Sequence, residues 1–296
     1  MANNITLKQL NVFVSVTQHQ TLTKASEHLF LSKAAVSMAL SELEKQLGHT
    51  LFDRVNNRLI LNQEGRKLLP LADEIVSRSQ NIGELFSGNS ELSGTLNIGA
   101  SDTLGNQLLP YILSEYRAKT GHLEQDVFIS NTAEICQKLV DYELDIALIE
   151  GEALHPGLIA SPFSQDEMCV ICPTNHALAG KKVGNLYELE DQNWILREPG
   201  SGTREFFLTH VATHLENWHE AFRLNTTEAL INSVSAGLGL SCISKLAASA
   251  AISAQRIQKI DIPVSMERQF WLLIHKEKYR SPLINSFIHH CEKWAE

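Results

Sequence analysis

Residues 22–62 constrain this chain more than any other stretch, because they carry the pattern of a short helix, a tight turn, a second helix and a two-stranded hairpin. Thr21 or Thr23 can cap a first helix through Leu29, in which Ala25 and Leu29, four apart, share one face. Phe30-Leu31 supplies the turn, and Ser32 caps a second helix to about Leu47. Along it Ala35, Val36, Ala39, Leu40, Leu43 and Leu47 recur at helical spacing and predict a buried stripe. The other face carries Ser32, Lys33, Ala34, Ser37, Met38 and Ser41. These small, polar or unbranched side chains let a helix enter a major groove with its backbone close to the bases. Gly48 stops the helix. Residues 51–54 and 58–61 flank Val55-Asn56-Asn57 as a hairpin with a cationic tip. This is the pattern of a winged helix-turn-helix. The turn length and the nearby Arg54 and Arg58 separate it from an ordinary helical hairpin packed in a core.

These residues resemble the LysR-type transcriptional regulators. The resemblance is carried by Leu7-Lys8-Gln9-Leu10 with Phe13, Thr23-Lys24-Ala25-Ser26, Leu31-Ser32 with Ala35-Val36-Ser37, Leu40-Ser41-Glu42-Leu43-Glu44, and Leu47-Gly48 followed by Leu51-Phe52-Asp53-Arg54. It implies DNA contacts from Thr23, with Ser32, Lys33, Ala34 and Ser37 at base edges and Arg54 and Arg58 at phosphates or in a minor groove. One position departs from the pattern. Met38 stands where the family usually has an arginine, so the phosphate or base contact expected there lacks its cation.

The net charge of −9 looks wrong for a DNA binder until it is divided. Residues 1–90 hold nine Lys/Arg against eight Asp/Glu, or +1; the remainder holds sixteen against twenty-six, or −10. The acidic surplus therefore belongs to the larger C-terminal part. A weakly basic N-terminal unit predicts modest, salt-sensitive affinity for phosphates, which pairing of two copies would raise. Apolar residues at 44% and charged residues at 20% describe a globular chain, and 296 residues suit two or three compact units. No apolar run near the start has the length of a signal peptide, and none elsewhere approaches a membrane span, so a cytoplasmic location is expected.

The five cysteines, Cys136, Cys169, Cys172, Cys242 and Cys291, are an odd count and predict free thiols. Cys169-Val-Ile-Cys172 has C-x-x-C spacing, but its β-like context favours a structural role, since residues three apart on a strand face opposite ways. His210 and His214, four apart on a predicted helix, lack a third metal ligand, and a solvated helix face is the better reading. No metal or cofactor is expected.

Before the helix-turn-helix, residues 6–19 form a predicted helix with Leu7, Leu10, Phe13, Val14 and Thr17 inward. After the wing, Asn62 or Gln63 begins a long helix to about Ser87, with Pro70 expected to kink it near Lys67. Leu68, Ala72, Ile75, Ser79, Ile82 and Phe86 are spaced four, three, four, three and four, a heptad seam that implies pairing with a second helix. Residues 88–94 form a hinge. From there strands and helices alternate as βαβαβ, with strands at 95–99, 123–129 and 146–149 and helices at 104–119 and 133–141. A second set places strands at 168–171, 194–197, 222–224 and 240–243 and helices at 203–217 and 228–236; a strand at 270–275 and a helix at 282–294 close the chain. Two α/β subdomains joined by crossing strands resemble the periplasmic-binding-protein-like effector domain of the LysR family. The expected domains are a winged helix-turn-helix at 1–62, a linker and dimerisation helix with hinge at 63–90, and an effector domain at 91–296. Within the last, one subdomain takes about 91–163 and 268–296, and the other about 164–267.

Ligands of open α/β sheets bind beyond the carboxyl ends of the strands. Those junctions supply Ser101, Thr103, Asn131, Thr132, Glu150, Ser201, Gly202, Thr203, Arg204 and Thr227 as candidate effector contacts. Most lead into a helix N-terminus, where free N–H groups, hydroxyls and the helix dipole favour an anion. Each hydroxyl could be a plain cap; the case for a site is that all would face one cleft, with Arg204 as the fixed cation. Trp194-Ile-Leu-Arg-Glu, Gly200-Ser-Gly-Thr-Arg-Glu and Gly237-Leu-Gly-Leu-Ser-Cys are similar to the YeiE-like subgroup of the family. That similarity implies a sulfur oxyanion such as sulfite, although sulfate, phosphate or a small carboxylate would suit the same donors. The chain is thus expected to be a regulator acting on double-stranded DNA as a homodimer or homotetramer, with operator binding set by a small anion. An enzyme is disfavoured because no nucleophile elbow, P-loop or three-ligand metal cluster is present. A transport component would carry an export signal and no helix-turn-helix.

Overall fold

Thr6 and Gln9 exchange hydrogen bonds, Thr6 N–H to Gln9 Oε1 at 2.8 Å and Gln9 N–H to Thr6 Oγ1 at 3.3 Å, and this capping box starts α1 (Leu7–His19). The computed structural model describes residues 4–85, 92, 94–151 and 155–294. Thr21, not Thr23, caps α2 (Leu22–His28), and Ser32 caps α3 (Lys33–Leu47) by accepting from the Ala35 N–H at 3.2 Å. Phe30 turns the chain between them in the left-handed region at φ +53°. Val36, Leu40 and Leu43 of α3 are buried against Phe13 and Val16 of α1. β1 (Phe52–Val55) and β2 (Arg58–Leu61) pair antiparallel with Val55 opposite Arg58, so Val55, expected in the tip, belongs to the ladder. The turn is Asn56-Asn57 alone, at φ +49° and +64°, the two-residue form whose twist matches a hairpin and which asparagine tolerates.

Asn62 caps α4 (Gln63–Leu85) through the Gly65 N–H at 3.0 Å, and the helix stays continuous through Pro70. Leu69, Ala72 and Val76 are buried in the same core as Phe13 and Leu40, and Leu68 packs on it. The long helix therefore lies on its own winged unit through one face, which takes Leu68 and Ala72 out of the expected seam. Leu71, Ile75 and Ile82 are left exposed on another face. Phe86, Ser87, residues 88–91 and residue 93, which include most of the expected hinge, lie outside the described residues.

The remaining chain alternates strand and helix. β3 (Leu96–Ser101), α5 (Asp102–Gln107), α6 (Leu109–Thr120), β4 (Gln125–Ser130), α7 (Thr132–Val140) and β5 (Ile146–Glu150) build the first lobe, with β3 parallel to both β4 and β5. The single helix expected at 104–119 is two, broken at Leu108, because Pro110 has no N–H for the preceding turn. β6 (Leu158–Cys172) starts ten residues before the expected strand at 168–171. The second lobe follows: β7 (Asn193–Arg197), α8 (Gly202–His210), β8 (His219–Leu224), α9 (Thr227–Ser235), β9 (Ser241–Ser244), α10 (Lys245–Ser253) and β10 (Gln258–Ile260). β11 (Glu267–His275) then returns antiparallel to β6 over nearly its whole length and also pairs with β5, and α11 (Pro282–Trp294) closes the first lobe. β9 and β10 flank the C-terminal half of β6, and β7 runs parallel to β8. Two α/β lobes are thus joined by the crossing strands β6 and β11, with a cleft where β3, β4, β5, β7 and β8 end. Among the described residues no helix is long and apolar enough to cross a membrane.

Candidate DNA-binding face and effector cleft

At the start of α3, Ser32, Lys33 and Ala34 are exposed and Ser37 is half-buried, while Met38, 72% exposed, continues the same face. Thr23 on α2 and Arg54 and Arg58 on the wing are exposed as well. A polar recognition-helix face and two guanidinium groups on a hairpin therefore stand clear of the core that Val36, Leu40 and Leu43 fill.

In the cleft, Ser101 ends β3, and its hydroxyl accepts from the Glu150 N–H at 3.0 Å, so it ties β3 to β5 instead of capping α5. Asn131 caps α7 through the Glu134 N–H and donates across the cleft to Glu198 Oε1 at 3.1 Å. Thr132 donates to the Glu150 carbonyl at 2.9 Å. Gly202 brings α8 so close to β5 that a Cβ there would lie 2.2 Å from the Glu150 carbonyl oxygen. Thr203 donates to Glu150 Oε1 at 3.2 Å and accepts from Arg268 Nη1 at 3.2 Å. Arg268 in turn meets Glu150 Oε2 at 3.1 Å and holds Asp166 through two donors. All four of these side chains are buried, and burial pushes the Asp166 carboxyl above its ordinary value.

A second cluster spans the lobes. Asp102, first residue of α5, directs Oδ2 at the N-terminus of α9, where it accepts from the Thr227 N–H at 3.0 Å and from the Thr227 hydroxyl. Arg197 Nη1 reaches the same oxygen at 3.0 Å, and its other nitrogens grip Glu198 at 2.8 and 3.0 Å. Burial alone would lower Arg197, but Glu198 and Asp102 outweigh it and hold the guanidinium above its ordinary value. Beside this cluster lies an open cavity of about 800 Å³ lined by Asp102, Thr103, Asn131, Arg197, Glu198 and Thr227 among others. The Thr103 hydroxyl, on a residue 2% exposed, and the Ser201 hydroxyl, on one 1% exposed, have no hydrogen-bond partner among the described residues.

Arg204, expected as the cleft cation, donates instead to the Arg197 carbonyl at 3.0 Å and to Glu220 at 2.7 Å, and it does not line the cavity. The cleft cations are Arg197 and Arg268, and Asp102, Asp166 and Glu198 accompany them. The signal for Arg197 is a charge that closes an apolar run, Trp-Ile-Leu-Arg, and for Arg268 a charge shortly before one, Phe-Trp-Leu-Leu.

Comparison with known proteins agrees with this architecture. Residues 7–66 match the family described as "Bacterial regulatory helix-turn-helix protein, lysR family", and residues 89–296 match "LysR substrate binding domain". The chain is 36% identical over 290 residues to the uncharacterized HTH-type transcriptional regulator YeiE of Escherichia coli K12, covering 98% of each chain. A full-length single-substitution variant of OxyR from Pseudomonas aeruginosa superposes with a TM-score of 0.74 at 21% identity, over 97% of this chain and 95% of that one. The regulatory domain of Synechocystis CcmR, in complex with 2-PG, superposes with a TM-score of 0.63 at 22% identity, over 69% of this chain and 98% of that one. A winged helix-turn-helix joined by a long helix to a two-lobed effector domain, matched over both parts, makes this chain a member of the LysR family of transcriptional regulators.

Proposed function

We propose that this regulator binds operator DNA through Thr23, Ser32, Lys33, Ala34, Ser37, Arg54 and Arg58, as a homodimer or homotetramer in the cytoplasm. Its DNA affinity is set by a small oxyanion held in the cleft. The carrying observation is the convergence of the Thr227 N–H, the Thr227 hydroxyl and the Arg197 guanidinium on one oxygen beside an open cavity. A helix N-terminus, a hydroxyl and a fixed cation aimed at one point suit a carboxylate or sulfur oxyanion. Ser101, Asn131, Thr132, Glu150, Gly202 and Thr203 form the framework that holds the lobes in register, and Thr103 offers a free hydroxyl on the cavity wall, with a second at Ser201, which does not line that cavity. Sulfite is the first candidate, followed by small carboxylates; the ligand-bound state of CcmR supports a small-molecule effector in a fold of this kind.

Thermal unfolding against sulfite, sulfate, phosphate, nitrate and short carboxylates tests the reading. A ligand that binds only the folded state adds about 2.7 kcal/mol of stability at a hundredfold excess over its Kd. A selective shift is expected with sulfite, and Thr103→Val, which removes an unpartnered hydroxyl, should reduce the shift without lowering the ligand-free melting temperature. A flat response to every anion would remove the effector assignment and leave the DNA-binding role standing.

A further inference from the structure

The charge balance of the cleft sets a problem for an anionic effector. Among the described residues the cations that meet Asp102, Glu150, Asp166 and Glu198 are Arg197 and Arg268, two against four, and both arginines are already paired. The donors best suited to an oxyanion are taken by Asp102, which comes from the opposite lobe. We propose that Asp102 is a tethered stand-in for the effector: its carboxylate fills the oxyanion position at the N-terminus of α9 and draws the two lobes together until a free anion displaces it. This inference rests on the anion reading of the cleft.

Three features support it. First, Asp102 Oδ2 receives all three donors from the second lobe, while Oδ1 is held from its own helix by Asn106 Nδ2 at 3.1 Å, so the carboxylate is aimed rather than free. Second, the neighbouring Thr103 hydroxyl is buried and unpartnered among the described residues, on the wall of the same cavity, as expected of a donor that waits for the true ligand. Third, the Arg197 side chain is 1% exposed and Glu198 takes only Nε and Nη2, so Nη1, buried and aimed at the α9 N-terminus, has its acceptor in Asp102 and needs another acceptor there when Asp102 leaves. Exchange of one carboxylate for a free oxyanion keeps Arg197 Nη1 satisfied and releases this inter-lobe tie at the α5–α9 side of the cleft, while Asn131–Glu198 and Thr203–Glu150 remain as the pivot. Binding is thereby converted into a change of lobe angle, and ligands without a negative charge are rejected because they leave Arg197 Nη1 and the two Thr227 donors without an anion, Glu198 holding only the other guanidinium nitrogens.

The test compares the full-length wild type with Asp102→Ala. Hydrogen exchange at the Thr227 amide is read without ligand, and titration calorimetry is read with sulfite and with acetate. The variant should exchange Thr227 faster and bind an anion about tenfold more tightly, within the roughly 5–150-fold span of coupled equilibria. Equal anion affinity in both proteins would leave the effector site in place and overturn the tether. Unchanged Thr227 exchange would overturn the tether before any ligand is added. Absence of anion binding to either protein would overturn the tether and the anion reading together. Asp102→Asn, which keeps the shape of the side chain, should give the same ordering should Asp102→Ala melt below the working temperature.

Discussion

Cys169 and Cys172 stand three positions apart on β6 and pack in different cores. Cys169 lies among Ile195, Leu230 and Ile243, and Cys172 among Val183, Leu186 and Leu189, because alternate residues of a strand face opposite sheet surfaces. Burial pushes the Cys169 thiol up to about 12 and the Cys172 thiol up to about 11. At pH 8 the reactive thiolate is then suppressed by about a hundredfold or more relative to an ordinary thiol, before access is counted. Iodoacetamide labelling of the folded protein at that pH, read by mass spectrometry, should leave both unmodified while denatured protein labels fully. Rapid native labelling of either would contradict their placement. The spacing of these cysteines was legible because strand alternation is a local property. The cleft cation was not. Arg204 and Arg197 are equally charged in the sequence, and the choice between them depends on Glu220 drawing Arg204 aside from sixteen residues away.

At the scale of elements, α4 shows how far periodicity carries. Its heptad spacing marks an amphipathic helix, but two apolar faces share it. Leu69, Ala72 and Val76 satisfy α1, while Leu71 (60% exposed), Ile75 (49%) and Ile82 (59%) remain open. An exposed stripe of that kind on a helix of 23 residues is suited to a second copy of itself. Burying one Ile is worth about 1.5–3 kcal/mol, or roughly ten- to a hundredfold in association. If the proposed homo-oligomer forms through this stripe, Ile75→Lys with Ile82→Lys should dissociate it in sedimentation velocity while helical content is kept. An unchanged mass would make the stripe a surface of another kind. The winged unit and the βαβαβ lobe were legible because caps, turns and apolar periods are written locally. β6 and α10 were not. The first half of β6, Leu-Ile-Ala-Ser-Pro-Phe-Ser, is mostly exposed and holds Pro162, and it becomes a strand only by pairing with β11, about a hundred residues on. α10 is Lys-Leu-Ala-Ala-Ser-Ala-Ala-Ile-Ser, whose small residues show high helix propensity but no large apolar stripe.

Across the whole molecule, one buried cation joins the DNA-binding unit to the effector domain. Lys278, after β11, lies 3.0 Å from Asp73 of α4 and 3.0 Å from Asp145 at the start of β5, with its side chain 6% exposed. Burial would lower its pKa, but the charges of Asp145 and Asp73 outweigh that and hold it above the ordinary lysine value. A raised cation stabilises fully below its unfolded pKa, so this contribution is whole at neutral pH and is lost only as pH climbs through the raised value. Lys278→Met strands the buried Asp73 carboxylate and deprives the partly buried one of Asp145 of its cation, and should cost about 3 kcal/mol of stability in denaturant titration; Asp73→Asn and Asp145→Asn added to it should recover much of the loss. No loss would mean that water reaches the acids and that the contact is not sealed. The same carboxylate of Asp145 accepts from the Asn97 N–H at 2.8 Å and from the Asn97 side chain at 3.0 Å. Asn97 belongs to β3, and the far end of that strand is Ser101, next to Asp102. β3 is thus a short rigid rod, with Asn97 and Ser101 about 13 Å apart at ~3.3 Å per residue, the proposed ligand lever beside Ser101 and the anchor of the DNA-reading head at Asn97. A message between the two needs no relay of shifting side chains. If the rod slides or tilts as a unit, cleft and operator sense it at the same moment, and either can be the sender.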